Sequence, residues 1–133
     1  MLIISLIGSP RQRGNSAVLA TRLGEIARRR GARTETFFLN QLSYRGCQAC
    51  LVCKTGSDRC VLEDDLTEVL EAVRQSDVLV LTTPVYFGDV ASQMKAFIDR
   101  TFSFLVPDYM TNPDKSRLQP GKKLVFIQSQ GNP

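Results

Sequence analysis

Four short apolar runs punctuate the chain: "LIISLI" at 2–7, "TETFFL" at 34–39, "DVLVLTTP" at 77–84 and "KLVFIQS" at 123–129. Each has strand length and is rich in aliphatic, β-branched or aromatic residues. Between them apolar residues recur at helical spacing. Leu19, Leu23, Ile26 and Ala27 form one stripe, Leu66, Val69, Leu70 and Val73 a second, and Met94, Phe97, Ile98 and Thr101 a third. Asn15 or Ser16 can cap the first helix and Gly31 can end it, while Asp64 or Asp65 can open the second. The alternation β-α-β-α-β-α-β predicts a parallel sheet with helices on both faces. Residues 103–122 hold Pro107, Pro113 and Pro120 and no clear period. A loop of that length in a compact domain is often functional.

Composition narrows the reading. A chain of 133 residues suits one domain with one core. The net charge of +4 owes much to "RRR" at 28–30, which fits a solvated helix end that complements the dipole. So mild an excess argues against nucleic acid as a partner and suits small anionic ligands. With no His, a Ser-His-Asp triad and any His-based metal site are excluded. The apolar runs are too short to span a bilayer, and the opening "MLIISLI" lacks a basic n-region. A cytoplasmic protein without a membrane partner is expected.

The first turn carries chemistry. "GSPRQRGNS" at 8–16 follows the first strand directly. In open α/β sheets ligands sit beyond the carboxyl ends of strands, and a helix N-terminus there presents free N–H groups and partial positive charge. Ser9 and Ser16 offer hydroxyls, Asn15 an amide and Arg11 a guanidinium, while Gly8 and Gly14 allow close approach. The pattern points to a phosphate dianion, although the same residues would also make a plain turn and cap. Gly-x-Gly-x-x-Gly is absent, and so is Gly-Lys-Ser/Thr, which excludes the dinucleotide fingerprint and the P-loop.

A second turn, within "TTPVYFGDVASQMKAFIDR" at 82–100, places Pro84, Val85, Tyr86 and Phe87 where a buried strand ends. A flat ring could lie there, with backbone N–H groups on its edge atoms. Packing on a neighbouring helix or subunit is the alternative. Together the two segments resemble the NADPH-dependent FMN reductase family of flavodoxin-like proteins, and the resemblance spans nearly the whole chain. It implies a three-layer sandwich with sheet order 2-1-3-4(-5) and binding of FMN. By that resemblance Ser9, Arg11, Asn15 and Ser16 hold the phosphate, and Pro84, Val85, Tyr86, Phe87 and Gly88 hold the isoalloxazine. The tail "SQGNP" at 129–133 resembles the third flavin loop, so Ser129, Gln130 and Gly131 are expected at the ring. Four strands are supplied where the family's sheet has five. A fifth strand beyond Pro133 is therefore expected.

Cys47, Cys50, Cys53 and Cys60 form a C-x2-C-x2-C-x6-C array that contains every cysteine of the chain. Four such thiolates can ligate a [4Fe–4S] cluster or structural zinc, pair as disulfides, which the cytoplasm disfavours, or stay free. The spacing resembles that of the iron-sulfur flavoproteins, a branch of the same family, although relatives without a cluster also carry Cys-x2-Cys here. The loop leaves the carboxyl end of the second strand, on the flavin's side of the sheet. The resemblance implies an FMN-dependent oxidoreductase that takes electrons from NAD(P)H or a protein donor and passes them to a small-molecule or protein acceptor. No side chain need act as acid or base. A non-enzymatic electron carrier is the rival expectation. A homodimer or homotetramer is expected from the aromatic loop and the family. Phe102, Phe104, Leu105, Tyr109 and Met110 are expected to cover the flavin or meet another subunit.

Overall fold

Five of the six residues of β1 (Leu2–Ile7) are buried, as a strand covered on both faces requires. The structure, a computed structural model, describes residues 1–131. β1 pairs in parallel with β2 (Arg33–Phe38) on one side and β3 (Val78–Tyr86) on the other. β5 (Lys123–Ser129) pairs in parallel with β3, and the two-residue β4 (Asp89–Val90) folds back antiparallel on the end of β3. The parallel order β2-β1-β3-β5 is the expected 2-1-3-4, because β4 is a hairpin arm that the sequence pattern does not separate from β3.

The registers Ile4↔Leu79↔Leu124 and Leu6↔Leu81↔Phe126 set these side chains on one face. There α3 (Leu66–Gln75) and α4 (Ser92–Arg100) close the main core with Val69, Val73, Met94 and Phe97. The opposite face carries α1 (Asn15–Arg29), whose Ala17 and Ala20 pack with Ile7 and Phe38. The result is a three-layer, flavodoxin-like sandwich.

α3 buries Leu66, Val69, Leu70 and Val73, as its period predicts. α1 departs from its predicted stripe. It buries Ser16, Ala17, Ala20 and Gly24, whereas Leu19 and Ile26 are exposed and Leu23 and Ala27 lie between. Small side chains let the helix axis lie close to the sheet, so the packing face is the small one and not the bulky one. The predicted caps also shift. Gly14 is the N-cap of α1, with no side-chain hydrogen bond from Asn15 or Ser16. Gly31 does end the helix, at φ 88°. At α3 the N-cap is Asp65, yet it is Asp64 Oδ1 that accepts the Leu66 N–H, at 3.1 Å.

Residues 101–118 double back on themselves. Leu105 bridges Ser116, and Arg117 N–H donates to the Phe104 carbonyl at 2.7 Å. Phe104 sinks into the core. Phe102 meets Tyr109 edge-on, with ring centroids 5.6 Å apart, and Lys54 Nζ lies 4.1 Å from the Phe102 centroid. Within the chain these aromatics, expected to cover the flavin or meet another subunit, pack on the core and on the cysteine loop. Met110 alone of the set stays exposed. No helix among the described residues is long and apolar enough to cross a membrane.

Candidate functional site

Three loops leave the sheet side by side. Ile7 stands opposite Thr82 in the ladder, Gly8 N–H donates to the Thr82 carbonyl at 2.8 Å, and Pro84 stands opposite Ser129. The turns after β1, β3 and β5 therefore begin at one edge of the molecule. Residues 8–16, 84–88 and 129–131, expected to share a cofactor, are brought together there.

The first turn is tight for a reason that can be read atom by atom. A Cβ on Gly8 would lie 2.8 Å from Met94 Cβ, and one on Gly14 would lie 3.0 Å from Ser9 Oγ. Ser9 is buried and its hydroxyl works within the turn. It accepts from Arg11 N–H at 3.1 Å and donates to the Arg11 carbonyl at 3.0 Å. Ser16 is buried as well. Arg11 and Asn15 are exposed, and neither side chain is engaged among the described residues. The first turn of α1 contains no acidic residue and no side-chain cap. Its N–H groups and dipole are thus open to an anion, with Arg11 and Asn15 beside them. These features fit a phosphate.

The second turn is a β-hairpin. Val85 pairs with Val90 and Tyr86 with Asp89, leaving Phe87 and Gly88 as a two-residue tip at φ 50° and 78°. Two positive φ values define a type I′ turn, in which Gly is easy and Phe is strained. Phe87 is fully exposed and Tyr86 is 45 % exposed. Below the tip, Thr83 Oγ1 accepts the Ala91 N–H at 3.0 Å and so joins the hairpin to the start of α4. Pro84 and Val85 are half-buried, Ser129 likewise, and Gln130 and Gly131 are exposed.

The cysteine loop starts at the same end of the sheet and then runs alongside α4. Tyr44 Oη donates to the Gln93 carbonyl at 2.8 Å, Gly46 packs against Ala96, and the Arg45 carbonyl reaches Arg100 at 2.8 Å. Burial, helped by nearby Asp64, pushes the Tyr44 phenol up to about 12, so it remains a donor at neutral pH. The cysteines thus lie at the far end of α4 from the hairpin. The helix between them is roughly 13 Å long at 1.5 Å per residue.

All four cysteines line one small pocket, shared with Ala49, Leu51, Arg100 and Phe102. Cys53 is buried on the single helical turn α2 (Val52–Thr55), Cys60 is half-buried, and Cys47 and Cys50 are exposed. Ala49 and Leu51 take positive φ, 53° and 60°. Left-handed residues within a short loop are the backbone pattern of anion-binding nests, which many iron-sulfur sites use. Ala49 N–H donates to Cys47 Sγ at 3.5 Å. This soft, His-free donor set fits a thiolate-ligated cluster. Among the described residues no three His, Cys, Asp or Glu side chains stand close enough to hold a metal ion. Cys60 also borders a groove of about 760 Å³ beside α3, with Arg59, Glu71 and Arg74 on its walls.

Sequence reasoning missed Arg100. It is 1 % exposed and donates to Asp64 at 2.7 and 3.1 Å and to Cys60 Sγ at 3.1 Å. The available signal was its spacing. Met94, Phe97 and Arg100 recur every third residue, which sets a charge on the apolar face.

The sequence matches the NADPH-dependent FMN reductase family over residues 1–132. An iron-sulfur flavoprotein of Methanosarcina thermophila is 36% identical over 101 residues, 76% of this chain and 52% of that protein. Another, from Methanocaldococcus jannaschii, is 34% identical over 101 residues with the same shares. The chain spans about half the length of the curated relatives it matches. Among solved structures, an NAD(P)H:quinone oxidoreductase from Methanothermobacter marburgensis superposes with a TM-score of 0.75 at 18% identity, over 100% of this chain and 65% of that one. An FMN-dependent NADH-azoreductase from Bacillus anthracis, in complex with FMN, gives 0.67 at 16% identity, over 99% and 69%. These likenesses establish the fold. With the match across residues 1–132, this chain belongs to the NADPH-dependent FMN reductase family.

Proposed function

We propose that this chain binds FMN at the convergent loops and a [4Fe–4S] cluster at the four cysteines, as part of an oxidoreductase. The observation that carries the FMN half is the uncapped, acid-free start of α1 beside Arg11 and Asn15, next to the turns after β3 and β5. Backbone N–H groups and the guanidinium bind the phosphate. Pro84 and Val85 form the floor for the ring, and Tyr86 and Phe87 form its exposed margin. When bound, FMN supplies the electron transfer. The residues of this chain orient it and shape its access to solvent.

All four cysteines border the shared pocket, and the buried Cys53 and half-buried Cys60 provide its fixed side. Cys47 and Cys50 sit on the strained, exposed arm and close on the cluster from outside. The relatives named iron-sulfur flavoproteins support this reading. NAD(P)H or a reduced protein is the proposed donor, and a small molecule or redox protein the acceptor. Association into a homodimer or homotetramer remains part of the proposal, with Phe87 at the tip as its most exposed aromatic.

The test is an absorption spectrum of anaerobically purified protein with flavin, iron and zinc assays on the same sample. A flavin spectrum with a broad visible shoulder and about four irons per chain is expected. A colourless protein defeats the FMN reading. A flavin spectrum with no iron, before and after reconstitution, defeats the cluster and leaves an FMN reductase. Steady oxidation of NAD(P)H by the same sample separates an enzyme from an electron carrier.

A further inference from the structure

The cysteine loop is held by side chains from outside it. Arg100, at the last position of α4, heads the fully buried side chains in size. Its Nε donates to Cys60 Sγ at 3.1 Å. One terminal nitrogen donates to the Arg45 carbonyl at 2.8 Å and to Asp64 Oδ2 at 2.7 Å. The other donates to the Leu62 carbonyl at 3.3 Å and to Asp64 Oδ1 at 3.1 Å. Arg45 precedes the first cysteine and Leu62 follows the last. One guanidinium therefore ties both roots of the loop to α4.

Asp64 alone would balance the charge. The bond to Cys60 goes further and sets a cationic donor on a sulfur. Cys53 is held differently, through its carbonyl, which accepts from Arg117 at 2.9 Å. Among the described residues Cys47 and Cys50 have no cationic donor on their sulfurs. The four thiols are unequal before anything binds.

We infer that Arg100 is the positioning residue of the cysteine site: it fixes the Cys60 sulfur in the ligand-free chain and keeps a positive donor on that sulfur when the site is filled. The second half rests on the cluster reading proposed above. The outer shell of a metal centre orients its ligands, and hydrogen bonds to sulfur tune a cluster's potential. A cation there favours the reduced, more negative state. A lysine keeps the charge but not the planar fork, and a glutamine keeps a donor but not the charge.

The experiment compares the native chain with Arg100→Lys and Arg100→Gln. Metal-free protein under reductant is pulsed with iodoacetamide at about pH 9, where ordinary thiols are mostly ionised. Mass spectrometry then reads each cysteine. In the native chain Cys60 should react several-fold more slowly than Cys47 and Cys50, although the adjoining groove gives reagent a path to it. In folded Arg100→Lys the Cys60 rate should rise several-fold while Cys47 and Cys50 keep theirs. A native Cys60 as fast as Cys50 overturns the inference without any variant, and so does a folded lysine variant with the native rate. The same proteins are then reconstituted with ferrous iron and sulfide. At equal iron content both variants should show a more negative cluster midpoint potential, the glutamine more so. Unchanged potentials overturn the electrostatic half. Failure of the native chain to take up iron overturns the cluster reading and that half with it, while the alkylation rates still decide whether Arg100 positions Cys60.

Discussion

Asp64 takes two hydrogen bonds from Arg100, at 2.7 and 3.1 Å, and two more from the backbone of Arg45 and Leu66, at 3.3 and 3.1 Å. Burial alone would raise its pKa, but the Arg100 and backbone N–H bonds outweigh that and hold the carboxyl below the ordinary aspartate range. The ion pair is then a pH-dependent term. A carboxyl with a depressed folded value adds stability above its unfolded value, about 3.9, and loses it as pH falls through the folded value. Asp64→Asn should destabilise the fold at neutral pH by about 3–5 kcal/mol, because it strands a buried guanidinium. The difference from the native chain should shrink in acid, below about pH 4. Denaturant melts at neutral and acidic pH check this, and a constant difference across that window would refute the assignment.

The phosphate turn predicts a separation of roles. Ser9 spends its hydroxyl inside the turn, whereas Arg11 and Asn15 face outward. Arg11→Ala and Asn15→Ala should each weaken FMN by about 1.5–3 kcal/mol, the value of a charge-assisted hydrogen bond. Melting temperature should hardly move, since neither side chain supports the fold. FMN titration followed by fluorescence measures both. Native affinity in the two variants would remove the phosphate from this turn.

Gly8 sets how closely β1's exit approaches α4. A Cβ there would meet Met94 Cβ at 2.8 Å, and Met94 is itself in the main core. Gly8→Ala should cost about 1–3 kcal/mol through overpacking. The displaced α4 should also weaken FMN. Gly8→Ala with Met94→Gly, which removes the Cβ itself, relieves the contact and should recover part of the flavin affinity, read by the same titration. No recovery would mean that the glycine serves the ligand directly.

Much of this architecture was legible because buried parallel strands are continuous apolar runs. β5 was read with its observed bounds, and α3's stripe was read residue by residue. The α1 face departs from the bulky stripe because bulk is not the mark of burial there: Ala17, Ala20 and Gly24 lie against the sheet. The hairpin at Phe87 leaves no trace in the sequence pattern, since a two-residue β4 has no period to detect. Arg100 was invisible for a different reason. A charged residue counts as surface until its partners, 36 to 55 positions earlier in the chain, are brought to it. The cysteine array was plain in spacing, but its distance from the flavin turn depends on how residues 44–46 run along α4.

The cysteines predict an asymmetric response to mutation. If a cluster forms, each of the four must ligate, because the chain holds no other Cys and no His. Any single Cys→Ala should lower iron content and bleach the broad visible absorption, with flavin retained. Cys53→Ala and Cys60→Ala should also lower the melting temperature of the metal-free chain, since the first is buried and the second half-buried with its sulfur bonded by Arg100. Cys47→Ala and Cys50→Ala should not, being exposed. Calorimetry of the four metal-free variants decides the second point, and four equal melting temperatures would contradict it.

Phe87 offers the sharpest test of the ring site. It stands at φ 50°, fully exposed, at a position where a type I′ turn prefers Asn followed by Gly. Backbone geometry and burial both argue against phenylalanine there, and the left-handed conformation costs it about 1–2 kcal/mol. A residue that the fold would gain by losing is explained by what it meets outside the fold. Phe87→Asn should therefore raise the melting temperature of the ligand-free chain and weaken FMN several-fold. Were the aromatic ring instead a contact between copies, FMN affinity at high dilution would be native and the sedimentation profile would shift toward smaller species. A variant less stable than the native chain would show that the ring supports the hairpin, contrary to its exposure.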